Sequence, residues 1–337
     1  FSVQNAAGHE ITIEVTYKDK AGNDIPVATE AKTIAGYSNA IFYQDQNANL
    51  PNGFVGAAKV RVTNPTDAKI GMVVNFYNSG VDASTSQFHS YNGLGSGAAQ
   101  LYAPRVVRRF YGYNSGITVQ NISQTATRIT ISFNFGGQTF TYQSAEIGAS
   151  SALVLYLPDV AAINAVDSLP MSQRFGNAVI QADNAEARIV AIINEDNRGN
   201  PADNDGSPIP VERIGQGSTY SAIPAGTETK AVYFPQVPRN VGGVFSGGFF
   251  ISNISGSAGV CDIHFDGYPA AKINDVPILA YGSLSYYAPN IANIPDGFNA
   301  AVRAYCTVNF IGIQNFAASP GSGKVGDSFT QNNGFNK

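Results

Sequence analysis

Three stretches of the chain alternate apolar and polar residues in the same way, each at the same distance from an asparagine. Counted without gaps from Asn5, Asn121 and Asn253, apolar or cysteine residues stand eight and ten residues later, and an aromatic residue stands at the twelfth position. A period of two is typical of a strand that buries one face. The pattern therefore predicts the same strand three times, at Ile13, Val15 and Tyr17, at Ile129, Ile131 and Phe133, and at Cys261, Ile263 and Phe265.

Other landmarks recur around these strands in a fixed order. "LPNGFVGAAKV" is matched by "IPDGFNAAVRA" and more loosely by "LPMSQRFGNAVI". An apolar strand follows in each repeat, as "IGMVVN" from Ile70, "IVAIIN" from Ile189 and "IGIQN" from Ile311. "LYAPRV" and "VYFPQV" precede the second and third copies, and we call this Tyr-x-Pro-x-Val segment the lead strand. Landmarks in constant order over a whole chain indicate an internal repeat.

Short strands separated by Gly, Pro, Asn and Ser turns predict an all-β fold of three tandem immunoglobulin-like antiparallel β-sandwich domains. We place repeat 1 at 1–97, repeat 2 at 98–226 and repeat 3 at 227–337. The segment "LPDVAAINAVDSLP" in repeat 2 is predicted to hold a helical turn or two outside the core, because prolines flank it. The linkers are short, so we expect a stiff rod of three domains.

Repeat 1 is predicted to lack its first strand. The chain opens with "FSVQN", in which Phe1 aligns with Ile117 and Phe249, and no lead strand precedes it. An uncovered sheet edge or groove is then expected, which a strand from a neighbouring subunit would pair by β-augmentation. The C-terminal segment does not contain such a strand, so stacking of the last repeat on the first without strand exchange is the alternative. At this interface we expect Phe1, Val3, Asn5, Phe329 and Phe335.

The landmarks together resemble tandem repeats in secreted surface proteins of filamentous Chloroflexota-type bacteria. Repeat 2 departs from the pattern where "LPMSQRFGNAV" interrupts the Gly-Phe step. The resemblance implies an exported surface protein built of repeats, and it implies no chemistry. The residues that carry it are Tyr102, Pro104, Gly116, Val119, Gln120, Asn121, Leu50, Pro51, Gly53, Phe54, Gly56 and Ala57.

Composition narrows the classes of partner. Charged residues make up 13% of the 337 residues, about half the usual share for a soluble domain, and the net charge is −4. A deficit of Lys and Arg argues against nucleic acid as a partner. No stretch reaches the roughly 18 apolar residues that cross a bilayer. The two cysteines, Cys261 and Cys306, both lie in repeat 3, and we expect either a disulfide or two buried thiols there.

One acidic loop is a candidate metal site. Asp196, Asp203 and Asp205 lie in "NEDNRGNPADNDGSP", an insertion unique to repeat 2, and carboxylate oxygens are the ligands that Ca²⁺ prefers. The loop lacks the spaced Glu of an EF-hand, and such runs are also typical of solvated turns. We expect no other cofactor. The three histidines do not align between repeats, so no enzyme site is predicted.

Exposed aromatic residues are the best sequence indication of a binding surface. Arg109, Phe110, Tyr111 and Tyr113 cluster at the start of repeat 2. Such a cluster can form an inter-domain joint, a contact between subunits, or a platform for sugar rings. Asn121 and Asn253 also begin glycosylation sequons, although an asparagine that ends a strand is already explained by turn geometry.

We therefore expect an extracellular structural protein of the cell surface, a subunit that binds copies of itself head-to-tail in a filament or surface layer. Heterologous contacts of this kind propagate into open fibres. A carbohydrate-binding or adhesive cell-surface module, with glycans as partners, is the alternative. A β-sandwich hydrolase is the third and least favoured hypothesis, and it would need a pair of carboxylates that face one cleft.

Overall fold

The computed structural model describes residues 1–78 and 86–336 of the chain. The described residues form an all-β structure in which every strand pair within the sheets is antiparallel. The strands of each sheet fall within one of the three repeats assigned from the sequence. The all-β prediction is confirmed.

Repeat 1 contributes two sheets. Their strand orders are β4-β1-β6-β7 and β3-β2-β5. The strands are β1 (Ser2–Asn5), β2 (Ile11–Asp19), β3 (Glu30–Ile34), β4 (Asn39–Ile41), β5 (Gly56–Asn64), β6 (Ile70–Asn78) and β7 (Gln87–Asn92).

Repeat 2 has the same two sheets with additional strands. The orders are β12-β9-β14-β15 and β11-β10-β13-β8-β16, and β8 is the lead strand. The strands are β8 (Gln100–Val107), β9 (Tyr113–Asn121), β10 (Ile129–Phe135), β11 (Gln138–Gln143), β12 (Ala152–Tyr156), β13 (Phe175–Ala182), β14 (Ile189–Asn197), β15 (Gly217–Ser221) and β16 (Ile223–Pro224).

Repeat 3 joins its two sheets through one long strand, β22. Its first part pairs with β17 and β19, and its second part pairs with β18 and β23. The sequence predicts two separate strands here, as in repeats 1 and 2. The strands are β17 (Thr229–Pro238), β18 (Phe245–Asn253), β19 (Gly259–Phe265), β20 (Ile273–Ile278), β21 (Ser283–Tyr287), β22 (Asn299–Ala318), β23 (Thr330–Asn333) and β24 (Phe335–Asn336).

All helical segments among the described residues are of the 3-10 type. The longest, Ala161–Ser168, lies in the proline-flanked segment of repeat 2 for which helical turns are predicted. The others are Pro26–Ala28, Gln44–Gln46, Leu157–Asp159, Met171–Gln173, Pro201–Asp203, Val211–Arg213, Pro269–Ala271 and Ala288–Asn290.

The two sheets of each repeat share one apolar core. In repeat 2, Ile129 and Ile180 of one sheet pack in the same buried cluster as Val119 and Ile189 of the other. Repeats 1 and 3 have corresponding clusters. We call the face of a sheet that is turned toward this core its inner face. The alternation seen in the sequence therefore marks the inner faces.

The anchor asparagine of each repeat is fully buried and makes the same hydrogen bonds. The Asn121 Nδ2 donates to the carbonyl oxygens of Thr125 (2.8 Å) and Ile147 (3.1 Å), while its Oδ1 accepts from the Ser123 amide. Asn5 and Asn253 make equivalent bonds to the residue four positions later and to the loop before the next edge strand. The side-chain amides of Asn121 and Asn253 are thus buried and hydrogen-bonded, which supports a role in turn geometry for the two sequon asparagines.

Replacing Asn121→Ala should lower the free energy of unfolding by about 2 kcal/mol, because the carbonyl groups that it serves are left buried without donors. Chemical denaturation measures the change. Asn49→Ala, at an exposed position, is the matched control and should have no effect. Equal stabilities of the two variants would contradict a structural role for the anchor asparagine.

Cys261 and Cys306 form a disulfide between β19 and β22. They occupy neighbouring inner positions of one sheet. The corresponding neighbours are Ile13 with Val62 in repeat 1 and Ile129 with Ala182 in repeat 2. The disulfide thus takes the place of an ordinary apolar pair in the core.

The double variant Cys261→Ile with Cys306→Val restores the pair of repeat 1 and isolates the effect of the cross-link. We expect it to be less stable than the oxidised chain by about 3–4 kcal/mol, since the bond closes a loop with a sequence separation of 45. Denaturation of the oxidised chain, the reduced chain and the variant tests this. Identical midpoints for the oxidised and reduced chains would refute it.

Candidate interfaces: an open strand edge and the junctions between repeats

The strand registers identify equivalent positions in the three repeats. Val60 lies opposite Val15, Ile180 lies opposite Ile131, and Ala304 lies opposite Ile263. The strands β5, β13 and the first part of β22 are therefore equivalent, because their partners carry the recurring alternation. By the same reasoning Met72, Ala191 and Gly312 are equivalent, since they lie opposite Val3, Val119 and Ile251.

The lead strand closes the sheet in repeats 2 and 3. Strand β8 pairs with β13 on the edge opposite β10, and β17 pairs in the same way with β22. In repeat 1, β5 pairs with β2, and no other strand of the described residues pairs with it. Among the described residues, β5 is therefore an open edge of its sheet.

The open edge also leaves the core of repeat 1 uncovered. Val60 and Val62 of β5 and Met72 of β6 are only partly buried, although they face the same core as Val3. Their counterparts in repeat 2 are at most 2% exposed. We call the space beside β5, next to Val60, Val62 and Met72, the repeat 1 groove.

Successive repeats contact each other through the same positions. The Gln87 Nε2 donates to the Gln216 carbonyl (3.0 Å), and the equivalent Gln216 Nε2 donates to the Ser328 Oγ (3.2 Å). A second pair of contacts recurs two or three residues further along the chain. His89 bonds Thr219 in the first junction, and Ser218 accepts from the Gln331 amide in the second. The two junctions therefore use equivalent positions at this end, with different atoms making the bonds.

The apolar part of the junction between repeats 2 and 3 rests on the lead strand. Tyr102 of β8 packs against Ile254 and Ile311, which lie on the outer face of a repeat 3 sheet. The Ser252 Oγ donates to the Pro104 carbonyl (2.7 Å) in the same strand. A lead strand thus seals its own core with one face and binds the next repeat with the other.

Charged residues of the lead strand strengthen the second junction. Arg105 forms a buried ion pair with Glu195, and its guanidinium lies over the Phe250 ring at 4.1 Å. The Gln331 Nε2 donates to the same carboxylate (2.9 Å). Arg108 is also buried and binds Asp167. Sequence reasoning missed these pairs, because Arg105 aligns with the uncharged Gln236 and the acidic partners Glu195 and Asp167 lie far away in the sequence.

Asp327 connects all three repeats. One carboxylate oxygen accepts from the Phe88 amide of repeat 1 (2.7 Å), and the other accepts from the Gly217 amide of repeat 2 (3.0 Å). Asp327 itself belongs to a loop of repeat 3. Repeats 1 and 3 therefore contact each other directly. The sequence predicts a stiff rod of three domains, and a linear row of domains would not allow this contact.

Most residues expected at the assembly interface are buried within the chain. Phe1, Val3 and Asn5 lie in the core of repeat 1, and Phe329 packs against Tyr113. Their side chains are therefore not available to a partner in this conformation. Phe335 is 65% exposed.

The aromatic cluster of repeat 2 does not present a common exposed face. Phe110 packs edge-on against Phe175, and Tyr113 is buried with its hydroxyl bonded to Gln216. The Arg109 side chain is held between Asp167 (3.3 Å) and Asp203 (3.4 Å). Of the three rings only Tyr111 is exposed, and the cluster has the contacts of an internal joint.

The acidic loop does not bring its three carboxylates together. Asp196 pairs with Arg198 at 2.7 Å, Asp203 accepts from Asn114 at 2.9 Å, and Asp205 accepts from the Ser207 amide. Burial raises the pKa of Asp196 and of Asp203. Within residues 1–78 and 86–336, no group of three His, Cys, Asp or Glu side chains is arranged to hold a metal ion.

No helix among the described residues is both long and apolar enough to span a membrane.

Comparisons with known proteins do not assign the chain to a family. No protein-family model matches it, and no curated protein matches it. The crystal structure of Thermotoga maritima 1070 aligns with 38% of this chain and 95% of its own, at 13% identity and a TM-score of 0.26. A likeness at this level carries no argument about fold or function.

His89 makes the first junction sensitive to pH. Its ring stacks on Phe76 and bonds Thr219. Burial lowers its pKa below the ordinary value of 6.5, and Arg198 adds to this, while a bond to the Ser218 backbone acts in the opposite direction and reduces the shift. The unfolded chain therefore binds a proton more readily than the folded one. Stability should fall as pH decreases from about 6.5 through the lower pKa of the folded state.

Denaturant midpoints between pH 7.5 and 5 measure this loss. We expect His89→Gln to flatten the profile in this range, while His9→Gln, at an exposed position, should leave it unchanged. An unaltered profile for His89→Gln would show that another group causes the pH dependence.

Proposed function

We propose that this protein is an extracellular structural subunit that assembles head-to-tail into a surface filament or layer, with each repeat acting as an immunoglobulin-like sandwich. The observation that carries the proposal is that successive repeats contact each other through equivalent positions at both junctions. A surface that docks to its own successor within a chain can also dock to the same surface in another chain. Contacts of this heterologous kind propagate instead of closing into a dimer.

Repeat 1 presents one half of the second junction, the one between repeats 2 and 3. In repeat 3, Ile311 and Ile313 on the outer face of β22 are fully buried against repeat 2. The equivalent residues of repeat 1 are Gly71 and Val73, as the register with β1 shows. Val73 is 40% exposed. The outer face of repeat 1 therefore offers an uncovered apolar position where its counterpart binds a preceding repeat.

Repeat 3 presents the other half. Tyr233 is equivalent to Tyr102, since each lies at the same place in its lead strand, and Phe335 is equivalent to Ile223 beside it. Phe335 is exposed and borders an open cleft of about 500 Å³ with Pro235 and Gln236. Docking of this cleft on the outer face of repeat 1 in another copy would continue the order of repeats.

The extracellular assignment is supported by the disulfide, by the low share of charged residues and by the resemblance to secreted repeat proteins. The contacts of the aromatic cluster do not favour the carbohydrate-binding alternative, because one exposed ring, Tyr111, is a small platform for a sugar.

The proposal predicts concentration-dependent assembly that depends on both end surfaces. Val73→Glu should abolish it by placing an unpaired charge in the contact, and Phe335→Glu should do the same from the other side. Val27→Glu changes an equally apolar residue that is 71% exposed outside the junction surfaces, and it should assemble normally.

Sedimentation velocity and negative-stain microscopy of the three variants and the parent chain provide the measurement. A parent chain that stays monomeric at high concentration would overturn the proposal. Assembly of both Glu variants at the parent concentration would show that other surfaces are responsible.

A further inference from the structure

We propose that the repeat 1 groove binds a lead strand, an extended peptide segment of the pattern aromatic, small residue, proline, any residue, valine. This strand-binding site is separate from the end surfaces of the proposed function and does not depend on head-to-tail stacking. Four observations define its occupant.

The first observation is the pairing that the groove offers. In repeat 2, Leu101 lies opposite Ile180 and Ala103 lies opposite Ala178, and both lead-strand residues are buried in the core. The equivalent positions on β5 are Val60 and Ala58. Neither is buried, so a strand on this edge would gain both backbone hydrogen bonds and apolar contacts.

The second observation concerns a bulge that both lead strands share. Two residues, Pro104 and Arg105, stand opposite one residue of β13, and Pro235 and Gln236 stand in the same way opposite β22. A bulge leaves backbone groups without partners in the ladder. In each repeat a side chain from the facing sheet binds the amide that follows the proline. In repeat 2 the Arg105 amide donates to the Tyr220 hydroxyl (3.3 Å), and in repeat 3 the Gln236 amide donates to the Gln314 Oε1 (3.2 Å).

Repeat 1 has a tyrosine at the position equivalent to Tyr220, but no described strand lies beside it to supply the amide. Tyr91 lies opposite Val74, as Tyr220 lies opposite the equivalent Ile193. Tyr220 both accepts from the Arg105 amide and donates to the Arg105 carbonyl. The Tyr91 hydroxyl has no hydrogen-bond partner among the described residues, although burial raises its pKa. Tyr91 is therefore placed to bind the residue after the proline of an incoming strand.

The third observation sets the size of one residue in the occupant. In repeat 3 the Phe234 ring lies over Gly312, where an added Cβ would meet it at 2.5 Å. In repeat 2 the corresponding pair is Ala103 and Ala191. Repeat 1 has Met72 at this position. Because Met72 fills space that belongs to the lead strand in repeat 3, the occupant needs a small residue before its proline, like Ala103 of β8.

The fourth observation is the wall on the other side of the groove. In repeat 3, Phe250 and Ser252 are at most 5% exposed because they contact the lead strand of repeat 2. Their equivalents in β9 are Thr118 and Gln120, which are half-buried. An occupant of the groove would cover them and would give Gln120 the proline carbonyl that Ser252 binds in the second junction.

A labelled peptide with the sequence of Gln100–Arg109 tests the proposal. Binding is measured by fluorescence anisotropy with the Val73→Glu variant, so that stacking through the end surfaces does not contribute. Hydrogen exchange of Lys59–Thr63 in β5 reports the location. We expect saturable binding with slower exchange in β5, and no binding to a chain that carries a copy of 100–116 joined before Phe1, because that copy closes the groove from within.

Two substitutions test the recognition. Tyr91→Phe should weaken binding about fivefold through the loss of one hydrogen bond, whereas the matched Tyr220→Phe in repeat 2 should not change it. A peptide with Phe in place of Ala103 should bind about tenfold more weakly or worse. These effects separate a specific lead-strand site from a generally adhesive edge.

The absence of saturable binding, or binding without slower exchange in β5, would overturn the inference. So would equal affinities of the Ala and Phe peptides together with no effect of Tyr91→Phe. Filaments formed by a parent chain that binds no peptide would preserve the proposed function and refute the strand site. Peptide binding by a chain that never assembles would have the opposite meaning.

Discussion

The pairing of a lead strand with the edge of its sheet is the contact on which the rest of the architecture depends. In repeat 2 it adds Leu101 and Ala103 to the core, and its opposite face supports Ile254 and Ile311 of the next repeat. One strand therefore completes one core and forms the base of the following junction. In repeat 1, where no described strand covers this edge, the inner residues Val60, Val62 and Met72 remain half-buried.

Buried polar bonds make the strand arrangement specific. Apolar packing alone would tolerate shifts in register, but the anchor asparagine binds chosen carbonyl groups at 0% exposure in every repeat. The amide after the lead-strand proline is satisfied by a tyrosine in repeat 2 and a glutamine in repeat 3. Different side chains bind the same backbone amide, because the bulge leaves that amide without a partner in the ladder whatever residue carries it.

The sequence was sufficient for the features that recur along one strand. Alternation at Ile129 and Ile131 predicted the inner face of their strand, where both residues are buried. Contacts between strands far apart in the sequence could not be predicted in this way. Neither the Arg105 ion pair with Glu195 nor the bond between Asp327 and repeat 1 has a local pattern.

The buried state of the predicted interface residues has a similar cause. Phe1 and Val3 were expected at a contact because they stand beside the missing strand, but their own strand already packs on β2 and β5. The candidate surface lies instead along the free backbone of β5. Tyr91 could have been found from sequence, since it aligns with Tyr220 in the Ser-aromatic element. That its hydroxyl is placed to bind a bulged strand becomes clear only from the bond between Tyr220 and the Arg105 amide.

The carboxylate of Asp327 has a mechanical consequence for a protein of this design. It holds amides from the first and second repeats at once, so a force that separates the outer repeats acts directly on its hydrogen bonds to Phe88 (2.7 Å) and Gly217 (3.0 Å). Load applied at the two ends would then be shared across the three repeats as a single body. A chain of independently tethered domains would instead extend one domain at a time.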